Sequence, residues 1–381
     1  MDFNLSEEQQ ILREGAERYL AQHYQFEQRQ KILATRTRLS EDRWRDFAEL
    51  GWLAVGIPEA HGGLGGSFIE VVLLLEAMGR HLVLEPIATT AVLGARLLER
   101  SAHVSAAALL PKTATGELRI ALAHEESGFR SEPACVAARA RGDGGGFRLE
   151  GAKTLAYDAP NAQRLVVSAC EDGHDLPSLW LVDQDAPNLT VESYELIDGP
   201  LAADVVLDGV PVAMEARLAG PDTATTLLED ALDRLTLAHV AEALGAMESV
   251  MQITAEQIRN RQQFGQPLAK FQALQHRMAE MFVEVQETRS ILYYGLAHLN
   301  GPAEKRQVAV SRAKVVASAA GRIVGGQGIQ LHGGAGLTEE YAVGHYFRHL
   351  IALERMLGDP EFHLSRLAGS YGCTGDSSLG N

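Results

Sequence analysis

One short stretch, Arg261 to Leu268, combines the residue types that bind a phosphate. It stands where one long helical pattern, Leu227 to Asn260, ends and another begins. Because Gly265 tolerates a positive φ and Pro267 suits the first turn of a helix, we expect a corner between two helices. A guanidinium beside amide side chains and free helix-terminal N–H groups would suit an anionic phosphate.

A second stretch, Gln330 to Gly336, carries three glycines within four residues. Glycines let the backbone approach a ligand closely, and Thr338 beyond them can cap the next helix. His332 either donates a hydrogen bond to a ligand or forms a contact within its own turn. Together with the Arg261 corner, this stretch would form the second wall of one dinucleotide site.

The elements that position these stretches begin with residues 1–115, which are helical in pattern. Ser6 and Gln9 are spaced as a capping box before the first apolar residues. The Gly-rich segment Pro58 to Gly66 interrupts the helices. We interpret it as a flexible connector, because no strand precedes it and it lacks the Gly-Lys-Ser/Thr of a phosphate-binding loop.

Residues 116–222 change to short β-type runs separated by turns rich in Gly, Asp and Pro, which predicts an antiparallel sandwich or barrel. The plainest hairpin signal is Gly142 to Gly146. The predicted strands are Leu118–Ala123, Ala134–Ala140, Phe147–Leu149, Leu165–Ala169, Ser178–Val182 and Asp204–Leu207.

Residues 223–368 return to helical patterns, and the tail 369–381, rich in Gly and Ser, is expected to be flexible. The order of a helical domain, a β domain and a four-helix bundle predicts an α+β fold. The predicted helices of the bundle are Leu227–Asn260, Pro267–Leu299, Glu304–Val324, Glu339–Leu350 and Glu361–Leu367.

Composition excludes several classes of function. A formal net charge of −16 would repel nucleic acid, and no apolar run is long enough for a membrane span. Residues Met1 to Glu8 lack the features of a signal peptide, so we expect a cytoplasmic protein. The cysteines Cys135, Cys170 and Cys373 include no CxxC pair, which argues against a disulfide framework or a metal site.

The motifs together resemble the acyl-CoA dehydrogenase family. Arg-x-Gln-Phe-Gly-x-Pro-Leu at Arg261 to Leu268, Gln-x-x-Gly-Gly-x-Gly at Gln330 to Gly336, and the Pro58 to Gly66 loop all match, as does the order of the domains. Within the family, the segment from Gly344 to Leu364 is most similar to the small subunit of pimeloyl-CoA dehydrogenase and to subunits of two-chain steroid side-chain dehydrogenases.

The resemblance implies a bound FAD and α,β-dehydrogenation of an acyl-CoA, in which a carboxylate removes the α-proton and hydride passes to the flavin. In that family the Gln330 to Gly334 segment reaches the FAD of a neighbouring subunit, so the site requires an oligomer. The residues that the resemblance assigns to FAD are Arg261, Gln263, Phe264, Leu268, Gln272, Gln330, Leu331, Gly333 and Gly334.

The position of the catalytic carboxylate departs from the family. The usual Tyr-Glu-Gly-Thr segment corresponds to Met356 to Asp359, where Leu357 cannot accept a proton. A branch of the family carries its base in a helix as Glu-Arg-Leu, which makes Asp233 the candidate base and Arg234 a candidate substrate contact. The alternatives are a solvated Asp233 paired with a nearby Arg, and a surface ion pair for Arg234.

The flavin-facing segments of the β domain depart as well. The family's Thr-Glu-Pro-x-x-Gly-Ser-Asp corresponds to His124 to Phe129, and its Trp-Ile-Thr-Asn to Leu155 to Asp158. A chain that keeps the contacts to the pyrophosphate but lacks the cover over the flavin ring fits half of a shared site.

Three hypotheses follow. The chain is the small subunit of an α2β2 acyl-CoA dehydrogenase whose partner supplies the catalytic Glu, a homotetramer that uses Asp233, or a scaffold or binding subunit without turnover. The closer resemblance indicates bulky, dicarboxylic or steroid-type acyl-CoAs, and the family implies an electron-transferring flavoprotein as acceptor.

Overall fold

The computed structural model of the protein describes residues 5–101, 103–128 and 131–372. The predictions on Met1 to Asn4, Phe129, Cys373 and the tail beyond Gly372 lie outside these residues. The chain divides into two compact units. Unit 1 comprises the described parts of Met1–Phe26, Val72–Val83 and Thr236–Asn381, and unit 2 comprises those of Glu27–Val71 and Leu84–Leu235.

The elements follow the predicted order of helices, strands and helices. The helices are α1 (Glu7–His23), α2 (Phe26–Leu33), α3 (Glu41–Glu49), α4 (Phe68–His81), α5 (Ala95–Ser101), α6 (Ala106–Ala114), α7 (Pro221–Asn260), α8 (Gln272–His298), α9 (Ala303–His332), α10 (Ala342–Arg355) and α11 (Pro360–Gly372). The strands are β1 (Ile120–Ala123), β2 (Arg139–Asp143), β3 (Gly146–Tyr157), β4 (Arg164–Glu171), β5 (Pro177–Asp183), β6 (Leu189–Glu195), β7 (Leu201–Ala213), β8 (Arg217–Ala219), β9 (Gln262–Gln263) and β10 (Gln266–Pro267).

These elements confirm the predicted α+β class, with a helical N-terminal part, a central sheet and a C-terminal helical bundle. The capping box at Ser6 and Gln9 is formed at the start of α1. Within the described residues, none of the helices combines the length and the apolar character that crossing a membrane would need. The proposed boundaries at 115/116, 222/223 and 368/369 stay predictions.

Unit 2 contains the eight-stranded sheet, in the order β6-β7-β3-β2-β4-β5-β8, with β1 paired to β4. The β2–β3 hairpin forms at the predicted glycines, because Asp143 pairs with Gly146 across the turn. Most neighbours are antiparallel, but β1 and β2 both run parallel to β4. The sheet is therefore predominantly antiparallel rather than wholly so.

Two of the strand predictions need correction. The predicted strand Ala134–Ala140 is a strand only from Arg139, because the N–H groups of Ala137 and Ala138 donate to the Glu126 carboxylate at 2.7 and 3.1 Å instead of pairing with a strand. Strand β6 was not predicted. It lies at the edge of the sheet with most of its side chains open to solvent, so its sequence lacks a hydrophobic run.

The core of unit 2 is built from the buried faces of these strands. Trp180 on β5 is fully buried and packs against Phe147 on β3, with 4.8 Å between ring centroids. Strands β4 and β5 are buried along almost their whole length, as expected for the centre of a sheet covered on both faces.

The Pro58 to Gly66 loop is well ordered by hydrogen bonds within unit 2. The N–H groups of Leu64 and Gly66 donate to the carbonyls of Ala54 and Val55, at 2.9 and 2.8 Å. The loop connects helices as predicted, and several of its backbone groups hydrogen-bond to a neighbouring turn. Its flexibility stays a prediction.

Unit 1 contains the C-terminal bundle. Helix α9 continues eight residues beyond the predicted end at Val324, through glycines that would ordinarily end a helix. Packing explains one of them, because a Cβ on Gly328 would lie 2.5 Å from the Val250 side chain of α7. Two arginines strengthen the bundle: Arg80 donates to Glu248 at 2.7 Å, and Arg289 donates to Glu76 at 3.1 Å.

A buried ion pair lies within unit 2. The Lys153 ammonium on β3 is fully buried and donates to Glu126 at 2.6 Å and to the Ser168 hydroxyl at 2.9 Å. Burial lowers the pKa of Lys153. Burial alone would raise the pKa of Glu126, but the Lys153 charge and two backbone N–H groups hold it below its usual value. The pair fixes the segment after β1 against the sheet.

We expect Lys153→Met to lower the free energy of unfolding by about 3 to 5 kcal/mol, because it leaves the Glu126 carboxylate buried without its counter-charge. The double variant Lys153→Met/Glu126→Gln should recover part of that loss. Arg141→Met is the matched control, because Arg141 pairs with Glu150 at the same 2.6 Å but on the surface of the same sheet. The control should change stability far less, because solvent screens an exposed ion pair. Urea denaturation measures all three, and equal losses for Lys153→Met and Arg141→Met would contradict the role of burial.

Candidate functional site

The Arg261 corner is a two-residue hairpin rather than a direct junction of helices. Helix α7 ends at Asn260, β9 pairs with β10, and the turn between them consists of Phe264 and Gly265, with φ of 52° and 79°. Two successive positive φ values are the geometry that joins short antiparallel strands tightly. Pro267 therefore lies in β10, and α8 begins only at Gln272, so our placement of Pro267 in the first turn of a helix is wrong.

The structure brings the two predicted stretches together within one chain. Arg261 Nη1 donates to the carbonyl of His332 at 3.2 Å, across 71 residues of sequence. Helix α9 ends at this carbonyl because Gly333 adopts a φ of 63°, a conformation that favours glycine. The helix end thus presents its carbonyl to the guanidinium and exposes the glycines that follow.

Most of the residues predicted to contact FAD are accessible. Phe264 is 90% exposed at the tip of the hairpin, and its ring meets the edge of Phe271 with 6.0 Å between centroids. Leu268 is half-buried, whereas Leu331 is buried at 6% exposure. The exposed members are Arg261, Gln263, Phe264, Gln272, Gln330, Gly333 and Gly334.

His332 has a structural environment. Its side chain is fully buried, Nδ1 donates to the carbonyl of Gly328 at 2.7 Å, and the ring packs on Tyr341 at 5.0 Å. Burial lowers the pKa of His332. Of the two interpretations, the turn contact is the one present, and it holds the carbonyl that Arg261 binds.

Thr338 does not cap the following helix. Its hydroxyl donates to the carbonyl of Ala335 at 3.1 Å, and α10 begins at Ala342 without a side-chain cap. The predicted cap is wrong because a short 3₁₀ turn, Gly333–Leu337, intervenes and takes up the hydroxyl.

The segment Met356 to Asp359, where the family places its base, is a rigid turn. Leu357 and Gly358 have φ of 58° and 93°. The Leu357 carbonyl accepts from His363 Nε2 at 3.0 Å. Asp359 accepts from the N–H of Phe362 at 3.0 Å and so caps the start of α11.

Lys314 stabilises this turn through hydrogen bonds to backbone carbonyls. Its side chain is 2% exposed, and Nζ donates to the carbonyl of Met356 at 2.7 Å and to that of Leu353. Burial lowers the pKa of Lys314 to about 7, and Glu354 opposes that shift. Sequence reasoning missed Lys314, because a single lysine in a long helix looks like a surface residue.

Asp233 and Arg234 lie on α7 within unit 2. Asp233 is 2% exposed, so our alternative of a solvated surface carboxylate does not fit. Arg234 is 8% exposed, with its guanidinium 5.7 Å from the ring centroid of Phe68 and its Nε 3.4 Å from Asp230. Asp230 also accepts from Arg96 at 2.7 Å. The alternative of a surface ion pair for Arg234 is thus replaced by a largely buried one.

The changed segment Leu155 to Asp158 has an unusual backbone. Leu155 and Asp158 have φ of 51° and 60°, and the pairing of β3 with β7 shifts register between Lys153 and Ala156. The N–H of Leu155 donates to the Tyr194 hydroxyl at 3.1 Å, which stabilises the irregularity.

Asp158 is anchored by a helix that sequence reasoning did not identify. Its carboxyl hydrogen-bonds the hydroxyl of Thr89, which lies on a π-helix, Ala88–Gly94. Burial raises the pKa of Asp158 to about 6. The wider spacing of a π-helix leaves no signature in hydrophobic periodicity, so this contact could not be predicted.

The pH dependence of stability tests the burial of Lys314. Its pKa is about 7 in the folded chain and 10.5 ordinarily, so between these values the unfolded chain binds more protons and stability rises with pH. The free energy of unfolding should gain up to about 1.4 kcal/mol per pH unit from this group. Lys314→Met should lose that gain between pH 7 and 9, whereas the exposed control Lys305→Met should keep it. Unfolding curves in urea at each pH measure the slope, and an unchanged slope in Lys314→Met would rule out this titration.

Comparisons with known proteins agree with the geometry. The family description "Acyl-CoA dehydrogenase, N-terminal domain" matches residues 6–117, and "Acyl-CoA dehydrogenase, C-terminal domain" matches residues 225–371. Among curated proteins, the chain is 27% identical to the probable acyl-CoA dehydrogenase YngJ of Bacillus subtilis, over 96% of this chain and 98% of that protein.

Two solved structures with more than one kind of chain are similar over almost the whole length. The Tcur3481–Tcur3483 steroid ACAD has a chain 32% identical to this one, with a TM-score of 0.88 over 96% of this chain and 98% of that chain. The ChsE4–ChsE5 complex from Mycobacterium tuberculosis has one 27% identical, with a TM-score of 0.89 over 99% of this chain and 100% of that chain. With both terminal domains matched and the fold shared throughout, this chain belongs to the acyl-CoA dehydrogenase family, whose members are oxidoreductases that act on a CH–CH bond of an acyl-CoA.

Proposed function

We propose that this chain binds FAD and takes part in the α,β-dehydrogenation of an acyl-CoA as one subunit of a heteromeric enzyme whose partner supplies the catalytic Glu. The observation that carries the proposal is the contact between Arg261 and the His332 carbonyl. It brings together the two motifs that resemble the family's FAD-binding segments, while the turn that would hold the base carries Leu357.

The residues around Arg261 fit the pyrophosphate of FAD. A guanidinium has five N–H donors, and among the described residues only the His332 carbonyl is recorded as accepting from Arg261. The remaining donors suit a diphosphate, with the amide of Gln263 and the backbone of Gly333 and Gly334 beside them. Phe264, Leu268, Gln272, Gln330 and Leu331 would complete the contacts, with the Gln330 to Gly334 segment reaching the FAD of a neighbouring subunit.

The bound FAD would supply the redox chemistry, as the acceptor of a hydride. The protein contributes orientation and a base that removes the α-proton. A leucine at position 357 cannot do so. Lys314 and His363 hold the backbone of this turn and do not depend on the side chain at position 357. Since that position carries leucine, we infer that the base comes from a second, different chain.

The heteromeric relatives support this arrangement and the class of substrate. One of them is the steroid ACAD Tcur3481–Tcur3483, and the other is the ChsE4–ChsE5 complex. We propose an α2β2 assembly that acts on a bulky, steroid-type or dicarboxylic acyl-CoA and passes electrons to an electron-transferring flavoprotein.

A homotetramer that uses Asp233 is the second candidate, favoured by the burial of that side chain at 2% exposure. A buried carboxylate on α7 beside Arg234 could serve as a base with the substrate held nearby. In this alternative the flavin site would need no partner of a different sequence. A non-catalytic scaffold is the third.

The Arg261 contact is tested by FAD affinity. Arg261→Gln should weaken FAD binding by at least about tenfold, because it removes a charge-assisted donor to the pyrophosphate. Arg259→Gln is the control, since Arg259 is an exposed residue in the last turn of α7, just before Arg261, and carries the same charge. Titration of apoprotein by flavin fluorescence gives both affinities. Equal affinity in the two variants would remove Arg261 from the site.

The source of the base is tested by purifying the chain alone and with the product of a neighbouring acyl-CoA dehydrogenase gene. We expect the co-purified pair to be yellow and to bleach with acyl-CoA, and the chain alone not to bleach. Bleaching of the isolated chain would refute the heteromeric proposal. In that case Asp233→Asn separates the alternatives, because retained bleaching would exclude Asp233 as the base. A colourless pair would leave only the scaffold.

A further inference from the structure

A cavity of about 770 Å³ lies within unit 1, between the end of α8, the start of α9 and α11. This volume is typical of small-molecule sites. It shares none of the residues of the Arg261 corner. The charged and aromatic residues that line it are Tyr294, His298, Glu304, Lys305, Arg312 and Arg366.

The charge of the cavity opposes that of the chain. Among the residues that the structure describes, three cationic side chains and one carboxylate, Glu304, line it, although the whole chain has a net charge of −16. A local excess of guanidinium and ammonium groups attracts anions to this cavity, even though the protein as a whole is acidic. Two of the cations are arginines, whose planar donors match the oxygens of a phosphate.

One wall of the cavity is a preformed aromatic surface. The Arg312 guanidinium lies 5.8 Å from the ring centroid of Tyr294, and its Nη1 donates to the Tyr294 hydroxyl at 3.1 Å. The His298 ring is 4.4 Å from that of Tyr294, and its Nδ1 donates to the Tyr294 carbonyl at 2.9 Å. These contacts hold three polar or aromatic side chains in a single arrangement.

Part of the lining is apolar. Val308 and Leu367 line it, and Ser311 is fully buried with its hydroxyl 3.1 Å from Nδ1 of His363. A ligand here would meet cationic, aromatic and apolar side chains. Such a set suits an anionic phosphate attached to a planar ring.

We propose that this cavity is a binding site for a nucleoside diphosphate or a closely similar phosphorylated ring compound, held by Arg312, Arg366 and Lys305. The phosphates lie against the cations, and the ring packs on the wall of Tyr294 and His298. The site is additional to the proposed FAD site and does not depend on it.

Calorimetric titration of the purified chain with ADP tests the site, with inorganic pyrophosphate as a probe that lacks the ring. We expect saturable binding of ADP and weaker binding of pyrophosphate. Arg366→Gln and Arg312→Gln should each weaken ADP binding by at least about tenfold. Arg18→Gln, an exposed residue of α1 with the same loss of charge, should leave it unchanged.

Two further measurements keep the outcome decisive. Arg261→Gln should retain ADP binding. If this variant lost ADP binding, the ADP would be occupying the Arg261 corner, and the proposal would fail. Melting temperatures check that the variants fold. Lys305→Gln changes an exposed side chain, so it serves as the test variant in place of any arginine variant that fails to fold. Absence of saturable binding, or a loss of affinity in Arg18→Gln equal to that in Arg366→Gln, would also overturn the site.

Discussion

The contact between the Arg261 guanidinium and the His332 carbonyl is the interaction on which the proposed cofactor site depends. It requires α7 to end at the hairpin and α9 to end at the glycines, so that a donor and an acceptor from distant parts of the sequence meet. A carbonyl at a helix C-terminus carries partial negative charge, and an arginine is its natural partner. The same guanidinium then has donors left for a ligand, so one residue links the structure of unit 1 with its chemistry.

A second constraint concerns the backbone of the turn at Leu357, the position at which the base would stand. The turn at Leu357 is held by Lys314, His363 and the Asp359 cap, all of which are hydrogen-bonded to its backbone or to the helix after it. Backbone contacts are indifferent to the side chain that the turn displays. The turn can therefore keep its conformation whichever side chain stands at position 357.

The sequence was sufficient for the order of the elements and for the two motifs, because glycines, an arginine and long amphipathic helices leave local signals. It was not sufficient for features that depend on distant partners. Residues Ala134 to Ala138 have the pattern of a strand, but the N–H groups of Ala137 and Ala138 donate to Glu126 instead of to a neighbouring strand. Helix α9 continues past Gly328 because the side chain of Val250 packs against that glycine. Lys153 and Lys314 are buried lysines, and burial of this kind depends on acceptors supplied by other elements. The π-helix that carries Thr89 has no periodic signal at all.

The exposed Phe264 has a consequence for the thermodynamics of association. Its backbone is confined by a two-residue turn between paired strands, and an aromatic side chain has only two rotatable bonds. Ordering it against a cofactor or a second subunit therefore loses little conformational entropy compared with a long flexible side chain. A large apolar surface that is already rigid before contact favours slow dissociation once an assembly has formed.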